Sequence, residues 1–248
     1  VVDGLQAEKD IYLGVEEMTK LIILCLMIVQ VTFAQFDNFD FFKAKINKDV
    51  FVAQVTPTTT VSVQLRGTGD IIFDWGDGSQ TTYTLNTSSN TTCSHSYSST
   101  STVTLRIYQN SRITRMENFS NVNWTFDLLQ LSKDLTYFAI GGSNVVTGSL
   151  TSLPLGITFI IISGLNTVKG YTSNRIWANN FDYLYYRPTA GNGLSSTEVD
   201  NLLIDLANVS TFKFNKTIDV AGNNNARTSA SDAAVAILLS KGVTVVTN

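Results

Sequence analysis

The sequence predicts a mixed architecture, an all-β sandwich followed by a repeat solenoid whose last repeats carry helices. Three observations lead there. Short runs of alternating apolar and polar residues, separated by tight turns, occupy residues 49 to 110. Two later stretches, beginning at Leu135 and Ile157, repeat each other. Near the C-terminus, two capped helical patterns alternate with strand-like runs.

The composition supports a folded chain. At 248 residues there is room for one large domain or two small ones. Charged residues are only 15%, against a usual share of about a quarter, and 44% are hydrophobic, which excludes a disordered chain. Lys and Arg number 17 against 20 Asp and Glu, so there is no cationic excess for nucleic acid. One His and two Cys leave little for a zinc site or a catalytic triad; no metal and no cofactor is expected.

The first segment reads as a targeting signal. Lys20 precedes an apolar run from Leu21 to Val31, and Thr32-Phe33-Ala34 offers small residues at a cleavage site. Residues 18–35 are therefore expected to be a signal peptide, and 1–17 a non-native or leader-derived extension upstream of Met18. The apolar run is short for a membrane span, so the mature chain is expected to have none and to be secreted or held at the cell surface. Removing residues 1–35 leaves acidic and basic residues in equal number and takes away Cys25, so Cys93 stands alone.

The sandwich is expected over residues 36–110. Val61, Val63 and Leu65 alternate with polar residues as one strand. Ile71 to Trp75 forms a second and ends in the Gly76-Asp77-Gly78-Ser79 turn. Thr81 to Leu85 pairs back, a Ser/Thr/Asn loop spans 86–92, and Val103, Leu105 and Ile107 share one face of a closing strand.

Here Phe73-Asp74-Trp75-Gly76-Asp77-Gly78, then His95-Ser96-Tyr97, then Thr102 to Leu105, resembles the polycystic-kidney-disease-type (PKD) domain. Ser101 departs from that pattern, which has Tyr there. The resemblance implies a spacer or interaction module of cell-surface proteins. Asp74 and Asp77 admit two readings: a carboxylate pair or half a calcium site, or a turn in which Asp77 accepts backbone N–H groups. His95 is either a general base or the group that ties a loop to the Asp-Gly turn. The second reading is preferred for Asp74, Asp77 and His95 alike.

Residues 111–248 are expected to form the solenoid. Leu135 to Gly148 and Ile157 to Gly170 align at a spacing of 22 residues (Thr136 to Thr158), with Asn144 matching Asn166. Ile113-Thr114 lies one period earlier, Phe181 to Tyr185 about one later, and Ile218–Asn223 and Val243–Val246 read as the last rungs. Ser195-Ser196-Thr197-Glu198 is a capping box ahead of a helix to about Ala207, with Val199, Leu202, Leu203 and Leu206 on one face. A second helix starts near Ser229 and ends at Gly242. The fold class is thus a sandwich followed by a leucine-rich-repeat-like solenoid with α/β C-terminal repeats. That order of parts resembles the BspA-type leucine-rich-repeat surface proteins of bacteria and phage-encoded repeat proteins, and the resemblance implies adhesion or recognition.

For function, Trp177, Tyr183, Tyr185 and Tyr186 are the candidate ligand-binding residues, because aromatic rings stack on sugars or dock proteins. Alternation puts Tyr183 and Tyr185 on one face and Tyr186 on the other; the competing reading is core packing. The partner expected is a host or cell-surface glycan or protein. Two alternatives stand beside this non-catalytic reading: a phage fibre or virion-decoration protein, and a carbohydrate-active enzyme, using Asp182, Glu198, Asp200 and Asp205, or its accessory module.

Overall fold

The computed structural model describes residues 49–248, apart from 118, 120, 121, 166, 167 and 190. The expected signal peptide, the extension before it, Cys25, the start of the sandwich and Asn166 lie outside the described residues. In chain order the strands are β1 (Val50–Thr56), β2 (Thr60–Gly67), β3 (Gly69–Asp74), β4 (Gln80–Leu85), β5 (Thr91–Ser96), β6 (Val103–Tyr108), β7 (Ile113–Glu117), β8 (Asn123–Asp127), β9 (Tyr137–Ile140), β10 (Val145–Thr147), β11 (Phe159–Gly164), β12 (Phe181–Pro188), β13 (Phe212–Asp219) and β14 (Thr244–Val246). Helix α1 (Ser196–Ala207) lies between β12 and β13, and α2 (Asp232–Ser240) between β13 and β14.

These strands make two mixed sheets. Sheet A runs β10-β8-β1-β6-β3-β4, and sheet B runs β14-β13-β12-β11-β9-β7-β2-β5. Their inner faces share one apolar core that extends from Phe51 to Val243. Phe126 of sheet A meets Phe138 of sheet B edge-on at 6.2 Å, and Phe51 closes on Phe126 at 4.9 Å. Along β2, Val61, Val63 and Leu65 are fully buried while Ser62, Gln64 and Arg66 are not, the period-two pattern of a strand with one dry face.

This arrangement corrects the expected fold class: there is no sandwich followed by a solenoid. Both sheets run through residue 110 without a break. β7 pairs antiparallel with β2 and parallel with β9; β8 pairs antiparallel with β1 and parallel with β10. The repeat spacing holds for two steps only. Arg115, Tyr137 and Phe159 share a register, whereas Tyr183, Thr217 and Thr244 follow at longer and unequal intervals. Nor do α/β repeats close the chain. α1 is 12 residues long behind a Ser195 capping box, and α2 is 9 residues long behind a 3-10 turn. The physical reason is that a period of this length records parallel strands stacking in register. Such strands can extend an existing antiparallel sheet, and here they do.

Candidate functional site

Where parallel strands stack in register, identical positions line up across the sheet. Thr136 donates from N and Oγ1 to Thr114 O at 2.8 and 3.1 Å, and Thr158 does the same to Thr136 O at 2.9 and 3.2 Å, each across 22 residues. The residue after each Thr then points to the outer face of sheet B: Arg115, Tyr137 and Phe159, with Tyr183 in register beyond them. Their side chains form a column. The Arg115 guanidinium lies 3.5 Å above the Tyr137 ring. Tyr137 and Phe159 stack at 4.1 Å and 8°, and Phe159 and Tyr183 at 5.0 Å and 23°. Arg115 and Phe159 cover the two faces of Tyr137, Tyr137 and Tyr183 those of Phe159, and all three rings are half-buried.

Ion pairs bound this column. At the β7 end Arg115 grips Glu117 through Nε (2.5 Å) and Nη2 (2.8 Å), and Asn90 donates to the same carboxylate at 2.8 Å. Burial alone raises the Glu117 pKa; the hydrogen bonds from Arg115 and Asn90 outweigh it and the net shift is downward. At the β12 end Arg187 binds Asp219 through two bonds of 2.9 and 2.8 Å and lies 5.2 Å from the Tyr185 ring. Each guanidinium is thus spent on a carboxylate, and the face between them carries no net charge.

The candidate residues separate. Tyr183 and Tyr185 sit on this outer face, half-buried. Tyr186 is withdrawn from it: the side chain is fully buried and its hydroxyl donates to Val168 O at 2.5 Å. Trp177 is also corrected to a packing residue. It is 4% exposed, its Nε1 donates to Tyr171 Oη at 3.0 Å, and that hydroxyl donates to Asp205 at 2.8 Å. A ligand cannot reach the Tyr186 ring without opening the core, and Trp177 offers no more than an edge.

The acidic residues weighed for catalysis are each held by neighbours. Glu198 accepts from Ser195 N at 2.8 Å, in the capping box, and from Tyr171 N at 3.0 Å. Asp200 accepts from Thr228 N, Thr228 Oγ1 and Ser231 Oγ at 3.0, 2.6 and 2.6 Å. Asp205 also accepts from Arg175 N, and Asp182 from Asn215 N, at 2.9 and 2.8 Å.

The Asp-Gly turn forms a second cluster. Asp77 accepts from Ser79 N and Oγ at 3.0 and 2.6 Å and lies 2.7 Å from His95 Nε2. Those bonds, Ser79 first and His95 next, lower its pKa from 3.8 to about 2. The His95 ring stacks on Trp75 at 5.0 Å, and Tyr97 donates to Trp75 O at 2.8 Å. Asp74 accepts from Gly76 N at 3.0 Å. These contacts knit β3, the turn and β5 together. Nearby Cys93 is buried, which pushes its thiol up to about 12 and leaves it protonated.

Sequence reasoning missed Tyr137, Phe159, Arg115, Arg187 and Asp219. The signal was present: Tyr137 and Phe159 occupy one position of the repeat, and Arg115 the same position one period earlier. Phe214, on β13, was missed as well and is 93% exposed. A separate open depression of about 550 Å³ is lined by Leu155, Arg175, Ile176 and the edge of Trp177. Among the described residues no group of His, Cys, Asp and Glu could hold a metal, and no helix is long and apolar enough to cross a membrane. No family model, curated protein or solved structure matches the chain, and nothing among them identifies a PKD-type or BspA-type domain.

Proposed function

We propose that this chain is a non-catalytic, exported surface recognition protein that binds a glycan or a protein through the outer face of sheet B. The observation that carries this reading is the column Tyr137–Phe159–Tyr183, with Tyr185 beside it, left partly open on a rigid sheet. Single exposed apolar residues are ordinary on any surface. A row of aromatics built across three strands is not, and rigid rings lose little conformational entropy on binding. The non-catalytic part of the reading is supported by the acids, each already accepting hydrogen bonds from its neighbours. Export is supported by the sequence of residues 18–35.

The test is binding of the whole protein to an array of glycans and to intact cell surfaces, beside a Tyr183→Ala/Tyr185→Ala double variant. Removing both rings is expected to lower affinity at least about tenfold, the worth of two aromatic contacts. Truncation at residue 110 is unsuitable, because it strips strands from both sheets. Binding unchanged in the double variant would remove this face from consideration. Turnover of a bound glycan would overturn the non-catalytic reading.

A further inference from the structure

The column has an end. Of its three rings, Tyr137 is covered on one side by Arg115 and on the other by Phe159, and Phe159 lies between Tyr137 and Tyr183. Tyr183 is covered by Phe159 alone. Its other face looks toward β13, where its register partner is Thr217, too small to cover a ring. Among the described residues no ring or guanidinium closes it. An aromatic face carries negative charge density and attracts the weakly positive C–H groups on one side of a pyranose.

The strand beside that open face is irregular. Phe181 pairs with Phe212 and Tyr183 with Thr217, so Asp182 alone faces Lys213 to Lys216. The excess residues bulge, with Lys216 forced to a φ of +41°. Asp182 fixes the bulge by accepting from Asn215 N at 2.8 Å. Bulges of this kind re-aim side chains next to binding sites, and this one carries Phe214 at 93% exposure. On the same outer face as Tyr183, Tyr185 is in register with Asp219, itself in its two-bond pair with Arg187.

We propose that Tyr183, Tyr185, Arg187, Asp219 and the Phe214 bulge form a subsite for one uncharged pyranose unit of a glycan, which deepens the recognition reading above and rests on it. The sugar's C–H face lies on the free side of Tyr183. Its hydroxyls meet the Tyr185 hydroxyl and the unused donors and acceptors of the Arg187–Asp219 pair. Phe214 flanks the outer edge. At the Tyr185 end the pair disfavours an anionic ligand. An anionic sugar would have to compete with Asp219 for Arg187 and would be repelled by the carboxylate; a neutral sugar meets no such opposition.

The experiment is an array carrying neutral hexose and N-acetylhexosamine glycans beside sialylated and sulfated ones, probed with the whole protein, followed by titration of the best neutral hit. Neutral glycans are expected to bind and anionic ones to bind at least about tenfold more weakly. Tyr183→Ala is expected to cost about tenfold in affinity and Phe214→Ala about threefold. Tyr183→Phe keeps the stacking ring and should bind within about twofold, which also controls for folding. Gln54→Ala, at an exposed position of β1 in sheet A, should bind as the parent does. Preference for anionic glycans would overturn the proposal, as would a Tyr183→Ala variant that binds the neutral hit normally. Binding to a protein or cell surface with no glycan bound would sink the sugar subsite and leave the recognition reading standing. No binding to any surface would sink both.

Discussion

The antiparallel and parallel halves of the molecule fill their outer faces differently. In the antiparallel half, cross-strand neighbours are short polar pairs: Thr56 with Thr102 at 2.7 Å, Thr60 with Ser96 at 3.0 Å, Gln54 with Thr104 at 3.0 Å. Each pair is complete in itself and exposed, and contributes little. In the parallel half, from β7 to β12, the same positions hold stacked rings. A stack differs from a pair because its last member always has one uncovered face. The polar half is finished wherever it stops, whereas the aromatic half ends on an open ring. Connections differ likewise. Antiparallel strands turn in a few residues, as at Gly76–Gly78, while parallel strands need crossovers, and these carry α1, α2 and the depression beside Trp177.

The sharpest way to break this comparison is to ask whether the halves stand apart. Phe138 belongs to the parallel half yet packs on Phe126, whose strand pairs with β1. Phe138→Ala is expected to cost about 3–5 kcal/mol, the usual loss for a buried ring. Denaturant unfolding followed by both fluorescence and far-UV circular dichroism should shift as one transition. Two transitions, only one of them displaced, would restore two separate domains.

A smaller effect compares one glycine from each half. Gly164, φ +84°, ends β11, and an added Cβ would sit 2.2 Å from Gly142 O in the rung below. Gly78, φ +93°, is in the Asp-Gly turn with nothing within 4 Å of that position. Both lose the left-handed preference of glycine, worth about 1–2 kcal/mol, but only Gly164→Ala also forces backbone apart. It should cost more than about 2 kcal/mol and Gly78→Ala about 1. Equal losses by thermal melting would mean that the rungs are not closely stacked.

How much of this was legible follows from the same contrast. The strand at Val61–Leu65, the turn at Gly76–Gly78 and the capped helix at Ser196–Ala207 are local, and each was readable from spacing and cap residues. β1 and β8 were not singled out as strands, and β7 was marked only by Ile113-Thr114 at the repeat spacing. Along β1, Val50–Ala53 form a continuous buried run without alternation, and β8 alternates over only five residues. The spacing of 22 residues was real, but periodicity cannot say whether stacked strands stand free or grow from a neighbouring sheet. The aromatic face was half legible. Tyr183 and Tyr185 showed themselves as a cluster, whereas Tyr137 and Phe159 show themselves only once repeat positions are overlaid. For Trp177 and Tyr186 the sequence left ligand contact and core packing both open, because the partners that fix them, Tyr171 Oη for the indole and Val168 O for the hydroxyl, are set by the fold of the β11–β12 connection.

The smallest effect concerns the turn of the antiparallel half and its response to acid. Asp77 has its folded pKa lowered from 3.8 to about 2 by Ser79 and His95. A carboxyl depressed on folding adds stability above its unfolded pKa and loses it as pH falls through the folded one. The contribution of Asp77 should therefore be complete above about pH 4 and fade toward pH 2. Glu117, Glu198 and Asp200 are lowered too, so the whole protein weakens in that range and the parent alone cannot identify the turn. Asp77→Asn isolates it. At pH 7 the variant should lose about 1 kcal/mol, the net worth of the hydrogen bonds weakened. The gap between variant and parent should then close as pH falls from 4 to 2, because the parent's own carboxyl becomes protonated. Denaturant midpoints measured across that range would show it. A gap that stays constant to pH 2 would mean that Asp77 holds the turn by shape rather than by charge, and that His95 and Ser79 do not stabilise its ionised form.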